Sequence, residues 1–294
     1  MVKNIRVAVF GAQGFIGKEF VIDTPPGYEV SLFNLPDVDI RKPESFTENL
    51  KKIRPDVVVN LAAKIGTLLS TVSVREMFET NTMGCLNIAY ASREAGAQSY
   101  IFISSTVVHG ENTKSQHHGR FSGFFPKHSY SASKTAAEYS LQQFAKQNTD
   151  MSIVVLRPPM VIGEGIKISL PPTEFVRDIL SGKEIQILGD GLHEREYVSL
   201  TDVATGIWKA VEWSITSKGG YHPFFLTGNR ISMRDLAEKI VKKLGGNIVY
   251  KPGTKQVFSL TTDPTDTEKI LGWNVKDSID DILEDVVDFV RKEK

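Results

Sequence analysis

An α/β fold, a doubly wound parallel sheet with a smaller C-terminal α/β lobe, is predicted by three observations. Short β-branched apolar runs alternate with helix-length segments through the first half of the chain. The first such run breaks into a glycine turn that opens a helix. Beyond residue 157 the alternation becomes irregular and glycine and proline punctuate it more densely, as a second lobe requires.

Ile5-Arg6-Val7-Ala8-Val9-Phe10 supplies the first strand and runs into Gly11-Ala12-Gln13-Gly14-Phe15-Ile16-Gly17. One glycine lets the turn bend, the next lets a pyrophosphate approach, and the third lets helix and strand pack, while the helix N-terminus offers free N–H donors. The spacing is G-x-x-G-x-x-G rather than the commoner G-x-G-x-x-G. Glu29 to Phe33 reads as a second strand, and a third short piece ends at Asp39-Ile40 before a helix from Pro43 to Ile53. At the end of the second strand this plan places a carboxylate for the adenosine ribose of NAD, and Asn34 stands there instead. Lys18, Arg41 and Lys42 suit a 2′-phosphate, so NAD and NADP both stay open.

Asp56 to Asn60 is a buried strand leading to Leu61-Ala62-Ala63-Lys64, followed by a helix from Val74 to Ala95 that contains Asn81, Gly84 and the single cysteine, Cys85. Tyr100 to Ile103 is another buried strand, and it ends at Ser104-Ser105-Thr106. Ligands of open parallel sheets bind outside the carboxyl ends of the strands, so these hydroxyls face a site. Residues 107 to 127 read as a polar loop with His109, His117 and His118, whose spacing supplies no third metal ligand. A strand from Ser152 to Leu156 ends at Arg157-Pro158-Pro159. A helix from Asp202 to Trp213 returns to the sheet, and helices from Met233 to Leu244 and from Ile279 to Lys292 belong to the lobe. The expected division is a nucleotide-binding domain of residues 1–157 with 196–216, and a substrate lobe of 158–195 and 217–294.

Composition narrows the function. Thirty-five basic and 35 acidic residues in 294 cancel, which removes the simplest argument for nucleic acid or a membrane surface as a partner. One cysteine permits neither an internal disulfide nor a cysteine-based metal cluster and fits a reducing compartment. With neither a signal-peptide pattern nor an apolar run of membrane-spanning length, a cytoplasmic location is expected.

Between Pro126 and the next strand lies a helix carrying Tyr130-Ser131-Ala132-Ser133-Lys134. Tyr130 is the one tyrosine of eight with a lysine four residues on. Residues i and i+4 share a helix face, and a nearby ammonium favours the ionised form of a phenol, which is otherwise a poor base at neutral pH. Such a tyrosine exchanges protons with a substrate hydroxyl.

The ordered set Gly11-x-x-Gly14-Phe15-Ile16-Gly17, Leu61-Ala62-Ala63, Asn81 with Gly84, Ser104-Ser105, Tyr130-x-x-x-Lys134, Arg157-Pro158 and Arg195-Glu196-Tyr197-Val198 before Asp202-Val203-Ala204 resembles the extended short-chain dehydrogenase/reductase superfamily. That group comprises NAD(P)-dependent epimerases, dehydratases and reductases acting mainly on sugar nucleotides, and the likeness runs nearly end to end. It implies a Rossmann-like fold with NAD or NADP as cofactor. Tyr130 would be the acid/base, Lys134 would hold the nicotinamide ribose and depress the Tyr130 pKa, and Ser105 would hydrogen-bond the reacting oxygen. Gly11, Gly14 and Gly17, with Phe15 and Ile16 between them, would carry the pyrophosphate. Asn34, Asp39 and Ile40 would meet the adenosine end; Leu61, Ala62, Ala63, Lys64 and Asn81 would line the rest of the cofactor. Arg195 would meet a substrate diphosphate, with Thr106 beside Ser105 on the substrate side, and a homodimer would form through helices that include the Tyr130 helix.

The departures from the family pattern carry information. Thr106 and Val107 stand where dehydratases have Asp-Glu, which disfavours loss of water. His109 replaces a tyrosine, and Met160 stands where many members have an asparagine near the nucleotide. The short link from the second strand through Asp39 to Asp56 is similar to 4-keto-sugar reductases, whereas Arg157 to Ala204 is more similar to 4-epimerases. The expected activity is hydride transfer at C4 of a nucleotide-linked sugar, by an epimerase or a 4-keto reductase. A reductase of another small carbonyl compound and a non-catalytic NAD(P)-binding regulator stand as alternatives.

Overall fold

The computed structural model describes residues 4–66, 72–110, 116–253 and 260–293. The chain runs β1 (Ile5–Phe10), α1 (Phe15–Ile22), β2 (Tyr28–Phe33), α2 (Thr47–Ile53), β3 (Val57–Asn60), α3 (Val74–Phe78), α4 (Cys85–Glu94), β4 (Ser99–Ile103) and β5 (Gln116–His118). It continues through α5 (Ser129–Gln147), β6 (Ser152–Arg157), β7 (Met160–Ile162), α6 (Pro171–Leu180), β8 (Ile185–Leu188), β9 (Glu194–Ser199), α7 (Leu200–Thr216) and β10 (Gly220–Phe225). The last elements are β11 (Asn229–Ser232), α8 (Met233–Leu244), β12 (Ile248–Lys251), β13 (Leu260–Thr262), α9 (Thr265–Leu271) and α10 (Ile279–Lys292).

Six strands form one sheet in the order β10-β6-β4-β3-β1-β2, every pair parallel. Successive side chains of a strand point to opposite faces, so Ala8 and Phe10 pack with α2, α4 and α5 on one side while Val7 and Val9 pack with α1 and α7 on the other. Burial on both faces is why these strands read as continuous apolar runs. A third core, around Ile162, Val176, Tyr197, Leu236 and Val286, holds the lobe together.

Four details depart from the sequence expectation. Asp39-Ile40 ends no strand: Val38 N donates to Asn34 O at 2.9 Å and Lys42 N to Asp39 O at 2.8 Å, so the link from β2 to α2 closes as turns. The helix expected over 74–95 is interrupted by a π-helical segment, Glu79–Gly84, between α3 and α4. The loop after β4 is partly ordered by a 3₁₀ turn, Thr106–His109, and by pairing of β5 with β13. Finally, Gly220–Phe225, expected in the lobe, pairs with β6 as an edge strand of the main sheet. Pro223 is tolerated there because no described strand pairs on the far side of β10, and Arg120 Nε caps the Pro223 carbonyl at 2.6 Å.

Among the described residues no group of three metal-ligating side chains occurs, and no helix is long and apolar enough to cross a membrane. His109 and His118 stack with centroids 4.9 Å apart, and His109 Nδ1 lies 2.8 Å from Gly123 O. Burial pushes the His109 imidazole down to about 4, so it is neutral at physiological pH.

Candidate active site

The glycine loop between β1 and α1 is shaped by close approach. Gly11 sits at φ +81°, and a Cβ there would come within 2.7 Å of Ala62 N. A Cβ on Gly17 would fall on the Gly11 carbonyl. No side chain caps α1, so its first N–H groups remain for an anion. Gly11, Gly14, Asn34, Asp39, Ile40, Leu61, Ala62, Ala63 and Lys64 line one groove of about 270 Å³, as an extended dinucleotide requires.

Asp39 accepts from Arg41 Nε and Nη2, the latter at 2.7 Å, and this ion pair holds its carboxyl below the ordinary range. Ile40 is fixed by Asn87, whose Nδ2 donates to its carbonyl at 2.9 Å, and by Gly84, where any Cβ would collide with the Ile40 side chain. Phe15 and Ile16 do not line the groove with their side chains: Phe15 packs on the lobe core and Ile16 on the sheet core. Only their backbone belongs to the helix start.

Asn81 also departs from its expected contact with a cofactor, because the side chain is fully engaged within the protein. Its Oδ1 accepts from Lys64 N at 2.8 Å, and its Nδ2 donates to Lys64 O and to Ser133 Oγ, each at 2.9 Å. The residue therefore ties the groove wall to α5. Lys64 Nζ pairs with Glu76 at 2.9 Å. Thr80, which the sequence reading missed, lines the groove with a buried Oγ1 that has no partner among the described residues. Nothing in the helical periodicity marks the π segment that turns it inward.

At the end of β4, α5 delivers the Tyr-Lys pair. A capping box orders the helix start: His128 Nδ1 accepts from Ser131 N at 3.2 Å and Ser131 Oγ accepts from His128 N at 3.1 Å. Lys134 is 2% exposed, donates from Nζ to Ile103 O at 2.6 Å and stands 4.5 Å from the Phe102 ring centre. Burial lowers its ammonium to about 8. Half-buried Tyr130 has its phenol pushed up to about 12 by desolvation. Desolvation thus runs opposite to the lowering expected from Lys134, whose ammonium is hydrogen-bonded to a backbone carbonyl.

Ser105 is half-buried, with its Oγ accepting from Val107 N at 3.4 Å. It opens on a cleft of about 230 Å³ with Thr106, Lys127, His128, Met160 and Arg195. Glu196 lines the same cleft and accepts from Gly228 N at 2.8 Å; desolvation raises its carboxyl.

Behind the site lies a node the sequence reading did not anticipate. Glu138, one turn beyond Lys134, is fully buried and takes Arg157 Nε at 3.1 Å, Arg157 Nη2 at 2.5 Å and Tyr221 OH at 2.8 Å. The neighbour of Ser105, Ser104, also donates to it. A phenol and a buried ammonium on α5, with the Ser105 hydroxyl just beyond the β4 end whose Ile103 carbonyl holds Lys134, form a set able to hold and pass a proton.

Known proteins share this plan. A sequence model of the NAD dependent epimerase/dehydratase family matches residues 7–221. The UDP-glucose 4-epimerase of Erwinia amylovora is 25% identical over 255 residues, covering 79% of this chain and 75% of the epimerase. The structure of UDP-glucose 4-epimerase from Thermotoga maritima with UDP-glucose superposes with a TM-score of 0.85 at 25% identity, covering 98% of this chain and 99% of that one. For the fold alone, RMD of Pseudomonas aeruginosa complexed with NADPH gives a TM-score of 0.83 at 21% identity, over 99% of this chain and 100% of that one.

Proposed function

This chain belongs to the NAD dependent epimerase/dehydratase family, and from that premise we propose that it transfers hydride at C4 of a nucleotide-linked sugar, as a sugar-nucleotide 4-epimerase or a 4-keto-sugar reductase. The observation that carries the reading is that Ser105 and the Lys134 contact to Ile103 lie at the carboxyl end of β4, with Ser105 opening on the cleft that holds Arg195 and Asn81 tying α5 to the groove wall at Lys64. The groove fits a dinucleotide: Gly11 and Gly17 leave no room for a side chain, α1 has no side-chain cap, and Thr80 offers an unpartnered hydroxyl. Gly11, Gly14 and Gly17 would hold the pyrophosphate, and Asn34, Asp39 and Ile40 the adenosine, as in the family.

A nicotinamide held there supplies or accepts hydride. Tyr130 exchanges the proton with the 4-oxygen, and Ser105 Oγ hydrogen-bonds that oxygen so that the carbon faces the groove. With its phenol near 12, Tyr130 begins protonated, the form that donates to a 4-keto oxygen. Lys134 would hold the nicotinamide ribose, and its charge there would lower the phenol. Arg195 pairs with the diphosphate of the substrate. Thr106 and Val107, where dehydratases have Asp-Glu, support a reaction without loss of water.

Met160, with Pro159 and Val107, gives the cleft an apolar wall and supports a second reading, reduction of another small carbonyl compound. A non-catalytic regulator has no residue in its favour, since Ser105, Tyr130 and Lys134 all stand. Exposed Met83, Tyr90 and Tyr139, at 54%, 52% and 58%, support a homodimer through the α4 and α5 faces, and the single buried cysteine suits the cytoplasm. The deciding experiment measures thermal shifts with UDP-, GDP- and dTDP-sugars and then turnover with and without added NAD(P)H. Turnover without reductant, on retained nicotinamide, indicates an epimerase; dependence on reductant indicates a reductase. No shift with any sugar nucleotide counts against both.

A further inference from the structure

Resting on the cofactor reading above, we propose that the adenosine end of the groove is a 2′-phosphate subsite, so that the chain takes NADP(H) in preference to NAD(H), with Asn34 and Arg41 as the discriminating donors.

A carboxylate at the end of the second strand hydrogen-bonds a ribose 2′-hydroxyl and repels a phosphate in its place. Here that position is Asn34, on the groove wall just beyond β2. Its Oδ1 accepts from Gln13 N at 3.0 Å. A backbone N–H has to meet the amide oxygen, so the flip is settled by the bond, and the Nδ2 with its two N–H groups is left over as a donor.

The carboxylate that does line this end, Asp39, is already neutralised. Arg41 Nε lies 2.9 Å from Asp39 Oδ1 and 3.1 Å from Oδ2, with Nη2 at 2.7 Å from Oδ2 and Arg41 N at 3.0 Å from Oδ1. The ion pair keeps the carboxyl ionised and the guanidinium tethered. A guanidinium has five N–H groups, and this tether uses only those of Nε and one of Nη2. Arg41 is 40% exposed at its side chain and lines the same groove, so it meets a phosphate without leaving Asp39. Lys42, exposed beside it, adds a second positive charge that is felt at Asp39. The subsite therefore presents N–H donors, with Asp39 compensated by Arg41 and Glu76 by Lys64, while Glu79 adds its field to Arg41.

Calorimetry of the whole chain with 2′-phospho-ADP-ribose and with ADP-ribose tests this without turnover. The phosphorylated ligand is expected to bind at least about tenfold tighter, the weight of one charge-assisted hydrogen bond, with the ratio shrinking as salt rises. Asn34→Asp, which keeps an acceptor for Gln13 N, should abolish or invert the preference, and Arg41→Ala should reduce it while ADP-ribose binding persists. Equal affinities in the wild-type chain, or a ratio untouched by both substitutions, overturn the proposal while leaving the dinucleotide groove in place. If neither ligand binds, the cofactor reading itself falls, and this subsite with it.

Discussion

The ammonium of Lys134, one helical turn from Tyr130, is hydrogen-bonded at 2.6 Å to the carbonyl of Ile103 and lies 6.0 Å from the Tyr130 ring centre. The pair is an acid awaiting its partner rather than a ready-made phenolate. Tyr130→Phe is therefore expected to keep dinucleotide binding and to lose about 10²–10⁴-fold in turnover, the range for a positioned proton donor. Steady-state kinetics beside calorimetry separates the two effects, and normal turnover would remove Tyr130 from the mechanism.

The same buried ammonium sets a pH dependence. Burial depresses Lys134 from an ordinary 10.5 to about 8. Between those values the unfolded chain binds the extra proton, so stability from this residue rises with pH across that window and is lowest below 8. The full span amounts to about 3 kcal/mol. Denaturant melts of wild type and Lys134→Met from pH 7 to 10.5 should show the difference moving in favour of wild type as pH rises; a flat difference would mean that the ammonium is better solvated than its burial implies.

Glu138 and Arg157 are 0% and 2% exposed and bond each other through two guanidinium nitrogens. Arg157→Met leaves a buried carboxylate uncompensated and is expected to cost about 3–5 kcal/mol in chemical denaturation. The double variant with Glu138→Leu should lose much less than the sum of the single ones. Strict additivity would show that the two charges act independently.

The glycines of the loop should not respond alike. A Cβ on Gly17 meets the backbone of Gly11 and Ala12, whereas one on Gly14 meets only the Gly11 carbonyl at 3.1 Å. Gly17→Ala is expected to destabilise the fold by about 2–3 kcal/mol. Gly14→Ala should melt nearly as wild type yet bind ADP-ribose more weakly. Equal melting of both variants would place the strain elsewhere.

Arg195 is expected to act on substrate affinity rather than on chemistry. Arg195→Ala removes a charged partner worth about 2 kcal/mol and should raise KM for a sugar nucleotide about 30-fold with kcat little changed. A fall in kcat alone would reassign the residue.

Much of this was legible in the residues because burial on both faces of a parallel sheet writes itself as unbroken runs such as Val57-Val58-Val59 and Ile101-Phe102-Ile103. The glycine loop was legible for a steric reason, since only residues without a Cβ fit between Gly11 and Ala62. Gly220–Phe225 was not, because a glycine and a proline interrupt its apolar run and only its pairing with β6 reveals it as an edge. Asn81 was found by its motif, but its tie to α5 was not legible, since its three hydrogen bonds go to Lys64 and to Ser133, 52 residues away. Nor does spacing report the direction of a lysine amine: i and i+4 predict a shared face, while Ile103 O decides where the charge goes.

The outer margin of β10 has a bearing on how copies of this chain meet. A bare strand edge is a template on which a neighbour lays its own backbone. Pro223 has no N–H to offer, and its carbonyl is already held by Arg120. Growth of the sheet from one molecule into the next thus lacks both a donor and an acceptor midway along that margin, which leaves assembly to side-chain surfaces and guards the protein against strand-by-strand aggregation.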